Sequence, residues 1–329
     1  MFRSPVPAGG AVLNAAGECT GFLAAAEWGL VETPIFLTST MQVGRVYDAA
    51  CELLMAEDPG IGAEEVIIPV VAECDDSFLS DARRMQVSAA DVKAALDAAR
   101  GGAGGPAPAE GAVGAGTGMS CLGFKGGIGS SSRLTPSGHA VGVLVLTNFG
   151  GQERLTVDGL PVGRMLPAVG KREEKPPEAG SCIVVAVTNA PLDSAACIRL
   201  ARRAGLGLAR TGSTGNHGSG EIFLALATGL RSERGTSGPS SSGPSSSGPS
   251  GSRPGGSGPT GSGPSSAPGP QPITGEALNP FFAAVVEATE EAVLNSMFAA
   301  PTVTGRDGNT SPGLPVDAVT DLLAAAGRI

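Results

Sequence analysis

Six stretches carry the dense apolar, β-branched runs expected of strands: PIFLTST (34–40), EEVIIPVVAEC (64–74), HAVGVLVLTNFG (139–150), RLTVDGLPVG (154–163), SCIVVAVTNAP (181–191) and GEIFLALAT (220–228). The third and fifth are continuously apolar at their centres, the pattern of strands covered on both faces. Between them the apolar period changes to that of helices. QVGRVYDAACELLMAE (42–57) repeats at helical spacing, and SAADVKAALDAAR (88–100) opens on Ser88 as N-cap with Asp91 at the third helical position. DSAACIRLARRAGLGLAR (193–210) and NPFFAAVVEATEEAVLNSMFAA (279–300) give the strongest helical patterns, and PVDAVTDLLAAAGR (315–328) closes the chain. Strands and helices alternate without a clean βαβ repeat, which predicts a mixed α/β or α+β sandwich.

Composition changes this picture in one place. From Thr236 to Pro272 the chain is almost wholly Gly, Ser and Pro and has nothing to bury, so a disordered insertion is expected between a first part (1–235) and a C-terminal part (273–329) of one globular domain of moderate size. No strict every-third glycine supports a collagen reading. GGAGGPAPAEG (101–111) is a second expected loop. Aromatic residues make up 4%, so the core has to be built from Ala, Val, Leu and Ile.

Net charge of −9 argues against a nucleic-acid partner, which needs a basic face. No apolar run reaches the roughly 18 residues of a membrane helix, and the N-terminus lacks an apolar signal core, so a cytoplasmic location is expected. The 6 cysteines are scattered, without a CxxC pair, and are expected as free thiols. Two isolated histidines, His139 and His217, make a poor ligand set, so metal hydrolysis is not expected.

The glycine-rich segment GAVGAGTGMSCLGFKGGIGSSSR (111–133) fails the phosphate-loop pattern, because Gly123 is followed by Phe124 and then Lys125, and it fails GxGxxG spacing as well. A loop whose amides line an active site is the favoured reading. No GxSxG elbow supports a Ser-His-Asp triad. One nucleophile needs no histidine: an N-terminal Ser or Thr, whose own α-amine, with a pKa of about 7.7–8.0, serves as base. GNHGSGEIF (215–223) offers it, if the chain is cut between Gly218 and Ser219. Glycine before the scissile bond tolerates strain and leaves the carbonyl open to attack.

GNHGSGEIFLALAT resembles the cleavage segment of the self-processing L-aminopeptidase/D-esterases, or β-peptidyl aminopeptidases, and GTGMSCLGFKGGIGSSSR resembles that family's glycine-rich signature. VLNAAGECTG, PIFLTSTMQVGRVYDA, PVVAECDDSFLSD, LTVDGLPVG, RLARRAGLGLARTGS and VVEATEEAVLNSMFAAPTVTGRDG extend the similarity over residues 12–230 and 274–329. The resemblance implies a four-layer αββα sandwich of N-terminal-nucleophile type and a precursor cut into two associated subunits. It implies release of N-terminal residues from peptides, amides or esters without a cofactor, in a homo-oligomer, often a tetramer. Carried over, Ser219 is the nucleophile, and ATEEA supplies its supporting hydroxyl and carboxylate as Thr289 and Glu291. Residues two apart on a regular helix do not share a face, so either one of the pair sits elsewhere, Glu290 is the real partner, or the helix is irregular there. Asn189 is the first candidate for the oxyanion hole. Asn148 is the second, or a substrate contact, with the amides around Gly126 and Gly127 contributing.

The sequence departs from the family in several places. Leu122 stands near a position where relatives carry tyrosine, and Thr38–Met41 reads Thr-Ser-Thr-Met where many have Thr-Asn-Thr-His. MFRSPVPAGGA occupies the place of an additional N-terminal segment, which raises the competing expectation of an inactive relative with a structural role. An acyltransferase akin to the ornithine acetyltransferases is disfavoured by serine, rather than threonine, at 219.

Overall fold

The computed structural model describes residues 1–102, 107–168, 180–231, 233–234 and 270–329. The expected Gly/Ser/Pro insertion therefore lies outside the described residues except for 270–272. In chain order the elements are β1 (Val6–Ala15), β2 (Leu30–Val31), β3 (Ile35–Ser39), α1 (Val43–Glu57), β4 (Val70–Cys74) and α2 (Ala89–Gly101). They continue with β5 (Ser120–Cys121), β6 (Phe124–Lys125), β7 (Ile128–Leu134), β8 (Ala140–Asn148), α3 (Val162–Met165), β9 (Ser181–Thr188) and α4 (Ser194–Thr211). The last are β10 (Gly220–Ala227), α5 (Asn279–Phe298) and α6 (Val316–Ala325).

Six strands form one sheet in the order β2-β1-β10-β9-β8-β7, and β3 pairs in parallel with β4 in a second, smaller sheet. Side chains alternate across each strand, so one sequence period serves two cores. Phe223 and Ala225 of β10 and Val184 of β9 join the α4/α5 core through Ala204, Leu208, Val285 and Val293. Ile222, Leu224 and Ile183 point the other way, onto Val70, Ala72 and Cys74 of β4. Helices α1 and α2 then cover the outer face of the small sheet through Val46, Ala50, Val92 and Leu96 against Phe36 and Val71. The result is the expected αββα stack. Ser88 caps α2 in a reciprocal box with Asp91, as read from the sequence. Among the described residues no helix is long and apolar enough to cross a membrane.

Three local expectations are revised. RLTVDGLPVG is not a strand: Asp158 and Gly159 both take positive φ and turn the chain onto a single Val157–Leu160 bridge, after which α3 begins. Of 64–74 only Val70–Cys74 is strand. In the other direction, β1 escapes notice in the sequence because it is built from Gly and Ala. Those small residues are required, since α4 presses directly on it: a Cβ on Gly9 would lie 2.2 Å from the backbone nitrogen of Ile198. Gly9→Ala is accordingly expected to cost about 3 kcal/mol, the upper part of the overpacking range, measured as a lowered urea midpoint with unchanged slope.

The two-stranded second sheet is too narrow to cover six strands. Leu144, Val185 and Val187, on the apolar strands expected to be covered on both faces, instead border an open cavity of ≈ 790 Å³. Val187 is 40% exposed.

Candidate active site

The register places four strand ends in one row: Asn148 of β8 opposite Ser181 of β9, Ser181 opposite Gly220 of β10, and Gly220 opposite Ala15 of β1. β4 ends alongside, its Cys74 thiol donating to the Leu146 carbonyl at 3.6 Å. A cavity of ≈ 660 Å³ opens at this end, bordered by Thr40, Glu73, Asp75, Ser120, Asn148 and Gly218 among others.

The chain enters β10 through a tight turn in which the Ser219 amide donates to the Asn216 carbonyl at 2.8 Å. His217 and Gly218 are exposed on this turn, while Ser219 is buried. Gly218 does not adopt a positive φ, so the strain expected of it is absent. Gly218 itself borders the cavity. Gly220 has a steric reason to be glycine, since a Cβ there would come within 2.5 Å of the Ala16 carbonyl oxygen.

Two side chains that the sequence reading overlooked organise this turn. Asn14 of β1 donates from Nδ2 to the carbonyls of Asn216 at 3.0 Å and His217 at 3.1 Å, and also to that of Ser219. Glu221, the second residue of β10, lies two positions beyond Ser219, and its Oε1 accepts the hydrogen bond of the Ser219 hydroxyl. Glu221 is completely buried, and its Oε2 has no hydrogen-bond partner. Burial pushes its carboxyl above the ordinary glutamate range, with the Ser219 bond opposing the shift.

Glu73, also overlooked, is the penultimate residue of β4, borders the cavity and is 2% exposed. Its Oε1 accepts the Glu18 amide at 2.8 Å, and its Oε2 accepts the Thr40 hydroxyl. Burial raises its pKa, and the nearby carboxylates of Asp75 and Glu18 add to that.

The remaining expected residues separate into near and far. Asn148 is at the cavity, where its Oδ1 accepts from the Ser120 amide at 2.9 Å and its Nδ2 donates to the Asp75 carbonyl at 2.8 Å. Asn189 is not. It follows β9 at the opposite edge of the sheet, roughly 25 Å along the strand from Ser181, where its Oδ1 accepts from the Ala140 amide. Its placement rules out the oxyanion role.

Gly126 and Gly127 are also unsuited as donors. The Gly126 amide is spent on the Met119 carbonyl at 3.2 Å and the Gly127 amide on the Thr147 hydroxyl at 3.1 Å. The loop is instead drawn inward around the buried Lys125 ammonium, which donates to the carbonyls of Gly116, Met119 and Gly126 at 2.7–2.8 Å. Burial lowers the Lys125 pKa to about 8. Leu122 is buried in the core at positive φ, in a two-residue hairpin turn with Gly123, away from the cavity.

Thr289 and Glu291 diverge on α5. Thr289 is buried against Gly207 of α4 with its hydroxyl unpartnered, whereas Glu291 is exposed and pairs with Arg133 at 2.6 Å. Neither bonds to Ser219. Glu290 pairs with Arg210 at 3.0 Å and does not replace them. Among the described residues no group of three His, Cys, Asp or Glu side chains could hold a metal ion.

The sequence profile of peptidase family S58 matches residues 1–311. The chain belongs to peptidase family S58. It is 37% identical over 328 residues to the β-peptidyl aminopeptidase BapA of Sphingosinicella microcystinivorans, covering 95% of this chain and 74% of that protein. The solved β-aminopeptidase of a Burkholderia species superposes with a TM-score of 0.79 at 36% identity, over 99% of this chain and 83% of that one. The L-aminopeptidase D-Ala-esterase/amidase of Ochrobactrum anthropi, described as a prototype serine aminopeptidase with a variant of the N-terminal-nucleophile hydrolase fold, gives 0.82 at 30% identity. It covers 99% of this chain and 82% of that one. As a member of family S58 the chain is a hydrolase of that fold, a self-processing serine aminopeptidase, and not an acyltransferase of the ornithine acetyltransferase kind.

Proposed function

We propose that the chain cuts its own Gly218–Ser219 bond and then releases N-terminal residues from small peptides, aminoacyl amides or esters, with Ser219 as nucleophile. β-Peptides belong to this range, by similarity to the β-peptidyl aminopeptidases. The observation that carries the reading is the Ser219 hydroxyl, buried at the entry of β10 directly after a peptide that borders the acid-lined cavity.

After the cut, the freed Ser219 amine sits on the same carbon as the hydroxymethyl group and takes its proton as Oγ attacks the substrate carbonyl. A seryl ester forms, the amine of the leaving group departs with that proton, and water hydrolyses the ester. Glu73 holds the substrate ammonium. A buried carboxylate pairs well with a cation and poorly with a neutral or acylated terminus. Asn148 keeps one Nδ2 hydrogen beyond its bond to Asp75 and uses it to orient the substrate.

The test is electrospray mass spectrometry of the purified protein together with hydrolysis of aminoacyl p-nitroanilides. Fragments 1–218 and 219–329 in an active preparation support the proposal. An intact chain that hydrolyses the anilide refutes Ser219 as an N-terminal nucleophile. The open apolar face at Leu144, Val185 and Val187 supports a homo-oligomer, tetrameric by the family resemblance. Light scattering coupled to gel filtration is expected to give four times the chain mass of 32.4 kDa.

A further inference from the structure

An N-terminal-nucleophile hydrolase faces a difficulty before it is mature. The base it uses on substrates is the α-amine of the nucleophile, and in the uncut chain that nitrogen is an amide with no basicity. The cut that creates the amine must therefore find another proton acceptor.

His217 sits in the turn but is exposed and makes no hydrogen bond to Ser219. Thr289 and Glu291 are elsewhere. The Ser219 hydroxyl donates to one group, the carboxylate of Glu221. Resting on the self-cleavage reading above, we propose that Glu221 is the catalytic base of self-cleavage, and that Asn14 is the positioning residue that presents the Gly218–Ser219 bond to it.

The placement follows from the strand. Ser219 directly precedes β10 and Glu221 is the strand's second residue, so the turn that leads into the strand brings the two side chains together in one hydrogen bond. The register sets Glu221 opposite Asn14 on β1 and Cys182 on β9. Asn14 therefore arrives in the sheet with its amide facing the turn. Its Nδ2 bonds the carbonyls of Asn216, His217 and Ser219, on both sides of the bond to be cut, and none of these bonds involves the Gly218 carbonyl that must be attacked. The unpartnered Oε2 keeps the carboxylate poorly solvated and hence reactive as an acceptor. Burial raises the Glu221 pKa, which brings its basicity nearer to neutral pH than an exposed carboxylate offers.

The step balances. The Ser219 hydroxyl proton passes to Glu221 as Oγ bonds to the Gly218 carbonyl carbon. The tetrahedral adduct then breaks its bond to the Ser219 nitrogen, which takes the proton back from Glu221 and leaves as an amine. Water hydrolyses the resulting Gly218–Ser219 ester, giving the Gly218 carboxylate and the free hydroxyl. Glu221 ends as it began, and the new amine takes over as base for later substrates.

The experiment follows cutting of the full-length chain made by cell-free translation, using gel separation and N-terminal sequencing for the new Ser-Gly-Glu terminus. Glu221→Gln is expected to slow the cut about 100-fold, the lower end of what a general base supplies, and Glu221→Asp to recover part of that. Ser219→Cys supplies a nucleophile intrinsically more acidic than a hydroxyl, which depends less on a neighbouring base to lose its proton. The Ser219→Cys/Glu221→Gln chain is therefore expected to be cut within a few-fold of the rate of Ser219→Cys alone. If Glu221 only supported the fold, its loss would slow both nucleophiles equally, and that outcome overturns the proposal. So does a Glu221→Gln chain cut at the unmodified rate. A wild-type chain that stays whole, or a Ser219→Ala chain that is cut, overturns the self-cleavage reading itself, and each is distinguishable from failure of the Glu221 assignment.

Discussion

Ser219→Ala yields one uncut chain and a loss of anilide hydrolysis of at least about 10³-fold, since removing a covalent nucleophile takes away the reaction and not merely an assisting contact. The substitution removes one buried hydroxyl and its bond to Glu221, and leaves that carboxyl with neither oxygen bonded. Because Glu221 already has a raised pKa, the variant responds by keeping the acid protonated. The sign of the stability effect follows. A carboxyl whose folded pKa exceeds its unfolded value contributes stability that is complete below the ordinary glutamate pKa and is lost as pH rises through the folded one. The variant is thus expected to melt higher at about pH 5 than at about pH 8. Calorimetry checks this, and the opposite order would mean that Glu221 is ionised and partnered in the folded chain.

Glu73→Gln raises KM about 100-fold for substrates with a free amine while changing kcat far less. A buried charge pair that loses one partner forfeits on the order of 2–5 kcal/mol, and most of this is ground-state binding. The accompanying pH profile is diagnostic. The Glu73 pKa lies above the usual carboxylate range because of burial and then the charges of Asp75 and Glu18. As pH falls through it, the carboxylate protonates and its hold on the ammonium disappears. The acid limb of kcat/KM therefore falls at a higher pH than an exposed glutamate would give, and Glu73→Gln removes that limb. A variant that keeps the wild-type limb would assign it to another group.

The fold was largely legible because its strands and helices carry strong periods. Continuous apolar runs marked β8, β9 and β10, and the Ser88–Asp91 pair marked the start of α2. β1 was not legible, since its Gly9 and Gly10 are chosen for the close approach of α4 and of the Phe22 ring rather than for strand propensity. Ser219 could be named from chemistry and resemblance together. Glu221 was within reach too, because it stands two positions beyond the nucleophile at the start of a predicted strand. The helix ATEEA drew attention away from it, although its acids are committed to Arg133 and Arg210 on the surface. Glu73 gave a weaker sign, a single acid inside PVVAEC whose neighbours are all buried. Asn189 failed because its position at a strand end says nothing about which end of the sheet holds the site. Only the parallel register of β9 with β10 decides that.

That register has a consequence for the two-chain form. The strand that begins at the cut is hydrogen-bonded along its length to β1 on one side and β9 on the other, both from the first fragment. The smaller piece is clasped between neighbours belonging to the larger one and cannot be withdrawn without dismantling the sheet. The processed protein should therefore travel as one particle under native conditions. Its recovery from denaturant becomes a second-order encounter of two molecules, dependent on concentration, whereas the uncut chain regains its structure at a rate independent of dilution.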